Sequence, residues 1–352
     1  MNRRKAVTIK DVAKAAGLSP AAVSRYLNHD MVLPAESASR IEKAVRTLDY
    51  QPNRLARNLS LGSSRMIGLV IPEISNPFFA ELASAVEDVA FQADYGVLLC
   101  NTRNDTRREL SYFRLLSTRQ LEGIVYLTSQ GDNPELIARQ ARSGSVVLVD
   151  EDIEGVSAPR VFCENRVGGY KATEYLLGHG HDRVAFIGGP EKLLSSRERF
   201  AGFQSALREK GITPLSRFVR FGPYTSDFGR EVANELLMSE DPPTAIFAAS
   251  DYVALGVLNA AQNLGMSIPR NLSLVGFDDM PFASLLSPPL TTVRQPIREL
   301  GETGARLLFQ LIKGELEQLP VLRLPIQFIA RNSVQAAFSR RSGRRHAVRG
   351  IR

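Results

Sequence analysis

The chain has 352 residues, 44% of them hydrophobic and 23% charged, which is a soluble composition too long for one hydrophobic core. No apolar run nears the ~18–20 residues of a membrane span, the basic start Met1–Thr8 lacks the apolar stretch of a secretory signal, and two cysteines, Cys100 and Cys163, cannot form a disulfide framework, so a reducing cytoplasm is expected. Residues 1–65 hold 12 Lys/Arg against 5 Asp/Glu (+7), residues 336–352 hold 6 Arg and no acid (+6), and the middle is acidic, with 26 against 32 (−6). Basic ends of this kind favour a polyanion by releasing its counterions, although such a run can also be a solvated face.

Ile9, Val12, Ala13 and Ala16 have helical spacing behind Thr8 as N-cap. Gly17 stops that helix, and Ser19 caps a second one with Pro20 at its first position, where a missing N–H costs nothing. A third helix is expected over 35–48, with Ile41, Ala44, Val45 and Leu48 turned inward. Two short helices joined by Gly17-Leu18-Ser19 make a helix-turn-helix, whose second helix enters the major groove by its N-terminal end. The residues presented there are Pro20, Ala21, Ala22, Ser24 and Arg25. Arg25 is suited to bidentate bonding to guanine, Pro20 and Ala21 offer apolar contact, and Thr8, Ser19, Ser24 and Asn28 suit phosphates. A three-helix cap for a protein partner is the alternative, and the local +7 counts against it. In the next stretch Pro52 breaks the chain, Asn53 can cap a short helix to Leu59, and Gly62-Ser63-Ser64 reads as a joint. A seven-residue helix is marginal alone in water, so it should order only against a partner.

Thr8-Ile9-Lys10-Asp11-Val12-Ala13, Val23-Ser24-Arg25-Tyr26-Leu27-Asn28 and Tyr50-Gln51-Pro52-Asn53 with Ala56-Arg57 and Leu59 together resemble the head of the LacI/GalR family of repressors, in sequence and in spacing. The resemblance implies that the short helix is a hinge, that two copies pair in the minor groove, and that Leu59 is the apolar wedge that kinks the duplex. It implies DNA-binding roles for Asn53 and Arg57 as well.

From residue 66 onward, strand-like and helix-like runs alternate. Strands are expected at 66–72, 96–101, 123–128 and 145–150, with helices at 78–94, 107–119 and 135–143 between them. A second series has strands at 161–163, 184–188, 218–221, 245–248 and 272–277, with helices at 167–179, 196–210, 226–238 and 252–264. Apolar strands alternating with helices imply parallel sheets covered on both faces, and two series imply two lobes with a ligand cleft beyond the strand C-termini. The strand-end loops carry Asn76, Phe78 and Phe79, then Asp150, then Arg199, then Asp251, then Asp278. Any one of these is better read as an N-cap or surface charge; five in succession suggest a polyol-binding cleft. The family resemblance extends from Ile67-Gly68 to Ala330-Arg331 and implies the type I periplasmic sugar-binding fold. Under it Asn76, Phe78, Phe79, Asp150, Arg199, Asp251 and Asp278 match effector-contacting positions, for a monosaccharide or a sugar acid. Leucine heptads of tetrameric relatives are absent from 336–352, so a homodimer is expected.

The expected fold class is an all-α helix-turn-helix head joined to an α/β body of two Rossmann-like parallel-sheet lobes. The expected domains are 1–51 (DNA-binding), 52–65 (hinge helix and linker), 66–335 (effector binding and dimerisation) and 336–352 (basic tail). No P-loop, G-x-G-x-x-G or G-x-S-x-G motif occurs. His179 and His181 lack cysteine or acidic partners at ligand spacing and read as solvent-facing, so no metal, cofactor or catalytic constellation is expected. The expected function is a repressor that binds double-stranded DNA at a near-palindromic operator under control of a small effector. A sugar-transport protein shares the body but not the basic head, and a sugar-modifying enzyme would need a nucleophile or cofactor site. Whether the effector releases or tightens DNA binding is open.

Overall fold

A computed structural model describes residues 7–27, 31–50, 63–128 and 145–337. The chain divides into two compact units, Met1–Ser64 and Arg65–Arg352. In the first, α1 (Ile9–Ala16), α2 (Pro20–Leu27) and α3 (Ala35–Thr47) surround a core of Val12, Ala13, Ala16, Val23, Ile41, Ala44 and Tyr50. The alanines let these short helices approach closely. Gly17 ends α1 in the left-handed conformation, φ +66°, and Leu18 N–H then reaches Ala13 C=O at 3.0 Å. Only glycine takes that backbone without strain, so the turn is written into one residue. Val45 and Leu48 pack at the core margin, half-buried.

The second unit opens with β1 (Met66–Ile71), α4 (Pro77–Gln92), β2 (Gly96–Asn101), α5 (Thr106–Ser117), β3 (Gly123–Tyr126), β4 (Val146–Val149) and β5 (Arg160–Cys163). The helix expected at 135–143 lies outside the described residues. The chain continues through α6 (Asn165–Gly178), β6 (Val184–Gly188), α7 (Leu194–Glu209), β7 (Val219–Phe221), α8 (Ser226–Leu237), β8 (Ala245–Ala248), α9 (Asp251–Asn263) and β9 (Ser273–Val275). It closes with β10 (Thr292–Arg294), α10 (Ile297–Lys313), β11 (Val321–Leu324) and β12 (Gln327–Ile329).

Two parallel sheets result, in the orders β11-β5-β4-β3-β1-β2 and β7-β6-β8-β9, with β10 and β12 as an antiparallel pair. The period of two along each strand sends alternate residues to opposite faces. Ile67, Leu69, Ile71, Val125, Val147 and Val149 meet α4 and α10 through Leu82, Val86, Leu300 and Leu308. Val70, Ile124, Tyr126, Val146 and Leu148 meet α5 through Phe113 and Leu116. The second sheet divides likewise, Ile187 and Ile246 to one face, Phe186 and Phe247 to the other.

One expectation is corrected. The strand at 160–163 does not start the second lobe: Val149 pairs with Val161, so β5 belongs to the first sheet. The three-residue apolar run Val161-Phe162-Cys163 is equally at home in either sheet, and its neighbour is set by where the chain crosses. The chain crosses between lobes three times: after β5 into α6, after β10 into α10, and after β11 into β12. The return of α10 and β11 to the first lobe had no counterpart in the sequence reading.

The helices α6 and α7 touch backbone to backbone. A Cβ on Gly169 would stand 2.2 Å from Arg199 C=O, and one on Gly202 2.2 Å from Arg166 C=O. This pair of glycines presses the stretch carrying Arg199 against α6.

Candidate functional site

In the first unit, Pro20 and Ala21 open α2 and are exposed, as is Ser19 before them. Ser19 Oγ accepts the Ala22 N–H at 3.2 Å, which caps the helix. Arg25 is exposed but sits in the last turn of α2, not at its start as expected, because the helix is only eight residues long. Ala21 and Arg25 are four apart and share a face, opposite the buried Val23. Ser24 is half-buried. The Thr8 backbone N–H and hydroxyl both donate to the Asp11 carboxylate, at 2.8 and 2.7 Å. Tyr26 donates to Glu42 at 2.9 Å and ties α2 to α3. Asn28, Asn53, Arg57 and Leu59 lie outside the described residues.

In the second unit, a cavity of about 640 Å³ opens between the lobes. Its walls are the loops after β1, β2, β3 and β4 on one side and after β6, β7, β8 and β9 on the other, with Gln295 from the second crossing. Strand C-termini thus converge on one cleft, the place where open parallel sheets bind ligands. Asn76, Phe78, Phe79, Asp150, Arg199 and Asp278 all line it.

These side chains differ in how they are held. Asn76 Oδ1 accepts the Phe78 N–H at 3.0 Å and caps α4, with Pro77 at the first helical position. Phe78 is 4% exposed, belongs to the first-lobe core, and meets half-buried Phe79 edge to face at 5.1 Å. Arg199 is 3% exposed. Its Nε donates to Asn165 Oδ1 at 2.8 Å and a terminal nitrogen donates to Ala249 C=O at 2.7 Å. The guanidinium stands 3.7 Å from Asp278 and stacks 3.8 Å over the Phe277 ring. Asp278 also accepts Gln295 Nε2 at 2.7 Å, and Gln295 Oε1 accepts the Cys163 thiol at 3.0 Å. Burial raises the Asp278 carboxyl, with Arg199 and Gln295 opposing.

Asp150 takes a left-handed backbone, φ +67°, at the end of β4. Its Oδ1 is buried without a hydrogen-bond donor among the described residues. Burial pushes its carboxyl up to about 6, against the pull of Arg199 and with the help of Asp278. Glu151, next in sequence, is pushed up to about 8, first by burial and then by Asp150 beside it.

Asp251 is a correction. It is fully buried, does not line the cavity, and faces inward, accepting Met280 N–H at 2.8 Å and Thr292 Oγ1 at 2.7 Å. It braces the chain between β9 and β10 instead. His181 is a second one: it is 4% exposed, not solvent-facing, and bonds Thr244, Ser273 and Gln335 C=O, each at 3.0 Å. Those partners lie 63 to 154 residues away, beyond any local pattern.

Tyr224, Tyr252, Ser195, Glu151 and Gln295 line the cavity without having been expected there. Glu151 directly follows Asp150, and Ser195 stands in the first turn of α7, four residues before Arg199. Tyr224 follows the short β7, and an alternation of only three strand residues gave little signal. A Cβ on Gly189 would stand 2.1 Å from the Tyr224 ring, so that glycine makes room for it.

Comparisons with known proteins agree with this layout. Residues 8–53 match the model of bacterial regulatory proteins of the lacI family, and residues 173–334 match a periplasmic binding protein-like domain. A ribose operon repressor of Halalkalibacterium halodurans is 37% identical over 331 residues, 93% of this chain and 97% of that protein. A transcriptional repressor, PurR, of Photobacterium profundum is 31% identical over 330 residues, 93% of this chain and 98% of that protein. Among solved structures, the lac repressor dimer bound to operator and an anti-inducer superposes with a TM-score of 0.85 at 28% identity, covering 94% of this chain and 100% of that one. A regulator from Enterococcus faecium with bound ribose gives 0.69 at 30% identity, covering 78% and 100%. Together with the helix-turn-helix unit and the two-lobed type I periplasmic-binding-protein body, these matches place the chain in the lacI family of bacterial regulatory proteins, as a DNA-binding transcriptional repressor with an effector-binding domain.

Proposed function

We propose that the chain is a cytoplasmic, dimeric repressor of a near-palindromic operator whose effector is a monosaccharide or a sugar acid. The observation that carries this reading is Asp150 Oδ1, a buried acceptor on the cavity wall with no donor among the described residues. A buried polar group without a partner is costly, and a ligand hydroxyl supplies the missing donor. Phe79, Tyr224 and Tyr252 offer ring faces to the C–H side of a sugar, while Arg199 and Asp278 take further hydroxyls or, in a sugar acid, a carboxylate. The ribose bound in the Enterococcus faecium regulator supports the monosaccharide class.

At the DNA, Arg25 reads guanine, Pro20 and Ala21 make apolar contacts, and Thr8, Ser19, Ser24 and Asn28 hold phosphates. Asn53 and Arg57 precede Leu59, the minor-groove wedge of a hinge helix within 52–65. Residues 1–51 form the DNA-binding domain, 66–335 the effector and dimerisation domain, and 336–352 a basic tail. Effector binding shifts the population of lobe arrangements, and a coupling of ~1–3 kcal/mol to the hinge pairing alters operator affinity.

Fluorescence anisotropy of an upstream DNA fragment, titrated with protein and then with monosaccharides, sugar acids and purine bases, tests this. A sugar or sugar acid should shift the DNA affinity about tenfold, the equivalent of 1.4 kcal/mol. A shift with a purine base alone would overturn the sugar reading while leaving the repressor intact.

A further inference from the structure

Glu151 belongs to the first lobe, at the end of β4, where its backbone N–H donates to Val149 C=O at 2.8 Å, but its carboxyl group bonds to the second. The Ser195 hydroxyl donates to one carboxyl oxygen and the Ser195 backbone N–H to the other, the latter at 3.1 Å. Glu151 is 4% exposed and Ser195 1%. Ser195 stands in the first turn of α7, whose N-cap is Leu193, a residue with no side-chain oxygen, and α7 has no side-chain cap bond there. The first N–H groups of a helix need an acceptor from outside it. Here the acceptor comes from the opposite lobe. The Ser195 hydroxyl is also 3.2 Å from the Tyr224 hydroxyl, and the Tyr224 ring lies 5.7 Å from the Arg199 guanidinium. One carboxyl group therefore sets a chain of three side chains on the facing wall.

An ion pair across the cleft is more exposed. Arg323 of β11 pairs with Glu198 of α7 at 2.6 and 2.8 Å, with its side chain 43% exposed. Exposed pairs of this kind contribute ~0–1 kcal/mol.

We propose that Glu151 is the positioning residue of the cavity: it caps α7 from the opposite lobe, holds the lobes closed, and fixes Ser195, Tyr224 and Arg199. The part concerning ligand rests on the effector reading of the cavity; the part concerning closure does not. Both native cysteines are buried, so spin labels go to introduced ones. Ser117 in the first lobe and Lys210 in the second are exposed. Pulsed electron resonance on the full-length Ser117→Cys/Lys210→Cys protein, with no sugar added, reads the distance between lobes. Glu151→Ala should move the distribution to longer distances, Ser195→Ala, which keeps the N–H, should move it less, and Arg323→Ala should leave it in place. If Glu151→Ala does not fold, Glu151→Gln keeps one acceptor oxygen and should give a partial shift. A Glu151 variant whose distribution superimposes on the parent overturns the proposal, and so does an Arg323→Ala shift of equal size. Because no effector is present, failure here is separate from failure to find a sugar that binds.

Discussion

The exposed face of α2 and the wall of the cavity are built on opposite plans. Ala21 and Arg25 stand exposed on a short helix whose fold is set elsewhere, by Val23 beneath them and by Gly17 before them. Arg199 and Asp278 are buried and bonded to each other, to the backbone and to the crossing segments. Where recognition and folding use different residues, one can change without the other. Where they share residues, each substitution alters both.

Removing Arg199 gives the largest contrast. Arg199→Ala leaves Asp278 and Asp150 buried without their cation, and breaking a buried pair costs ~3–5 kcal/mol. Denaturant unfolding of the body should show that loss together with loss of effector response; a midpoint equal to the parent would mean that the wall is not part of the fold's support. Arg25→Ala should weaken operator binding by ~1–3 kcal/mol, relax base preference at one position, and leave the melting temperature unchanged. A change in melting temperature would erase the distinction between the two regions.

The smallest effect is a slope with pH. Glu151 is held near 8, well above the ordinary carboxyl value, by burial and then Asp150, so the folded body keeps a proton that the unfolded chain has released. Stability is then full below the ordinary carboxyl range and falls as pH rises towards 8. Asp150, near 6, acts in the same sense but has levelled off by pH 7. His181, lowered by burial, acts oppositely and only towards acid. Unfolding midpoints should therefore drop between pH 7 and 8.5, and Glu151→Gln should flatten that drop; an equally steep drop in the variant would assign it to another group, such as Asp251, which burial also raises.

Much of this was legible in the sequence because the signals were local. Gly17, Ser19 and Pro20 define a turn within four residues, and the apolar strands end in polar loops that meet in one cleft. What was not legible depended on partners far along the chain. Asp251 opens a helix like a cavity residue, yet Met280 and Thr292 turn it inward. β5 reads as a strand in either lobe until its neighbour is known. Glu151 looks like one acid among three in Asp150-Glu151-Asp152, and only the absence of a side-chain oxygen at Leu193 on the far side gives it a task.

Gln295 stands where the chain passes from the second lobe back to the first, bonded to Cys163 at the neighbouring crossing and to Asp278 on the cavity wall. A group that rearranges the bonds of Asp278 therefore pushes at the fulcrum and not at the rim. Displacement grows with distance from a pivot, so a sub-ångström change there becomes a larger sweep at the far ends of the lobes. The cavity lies beside the crossings, and under the proposed effector control that placement is itself the lever.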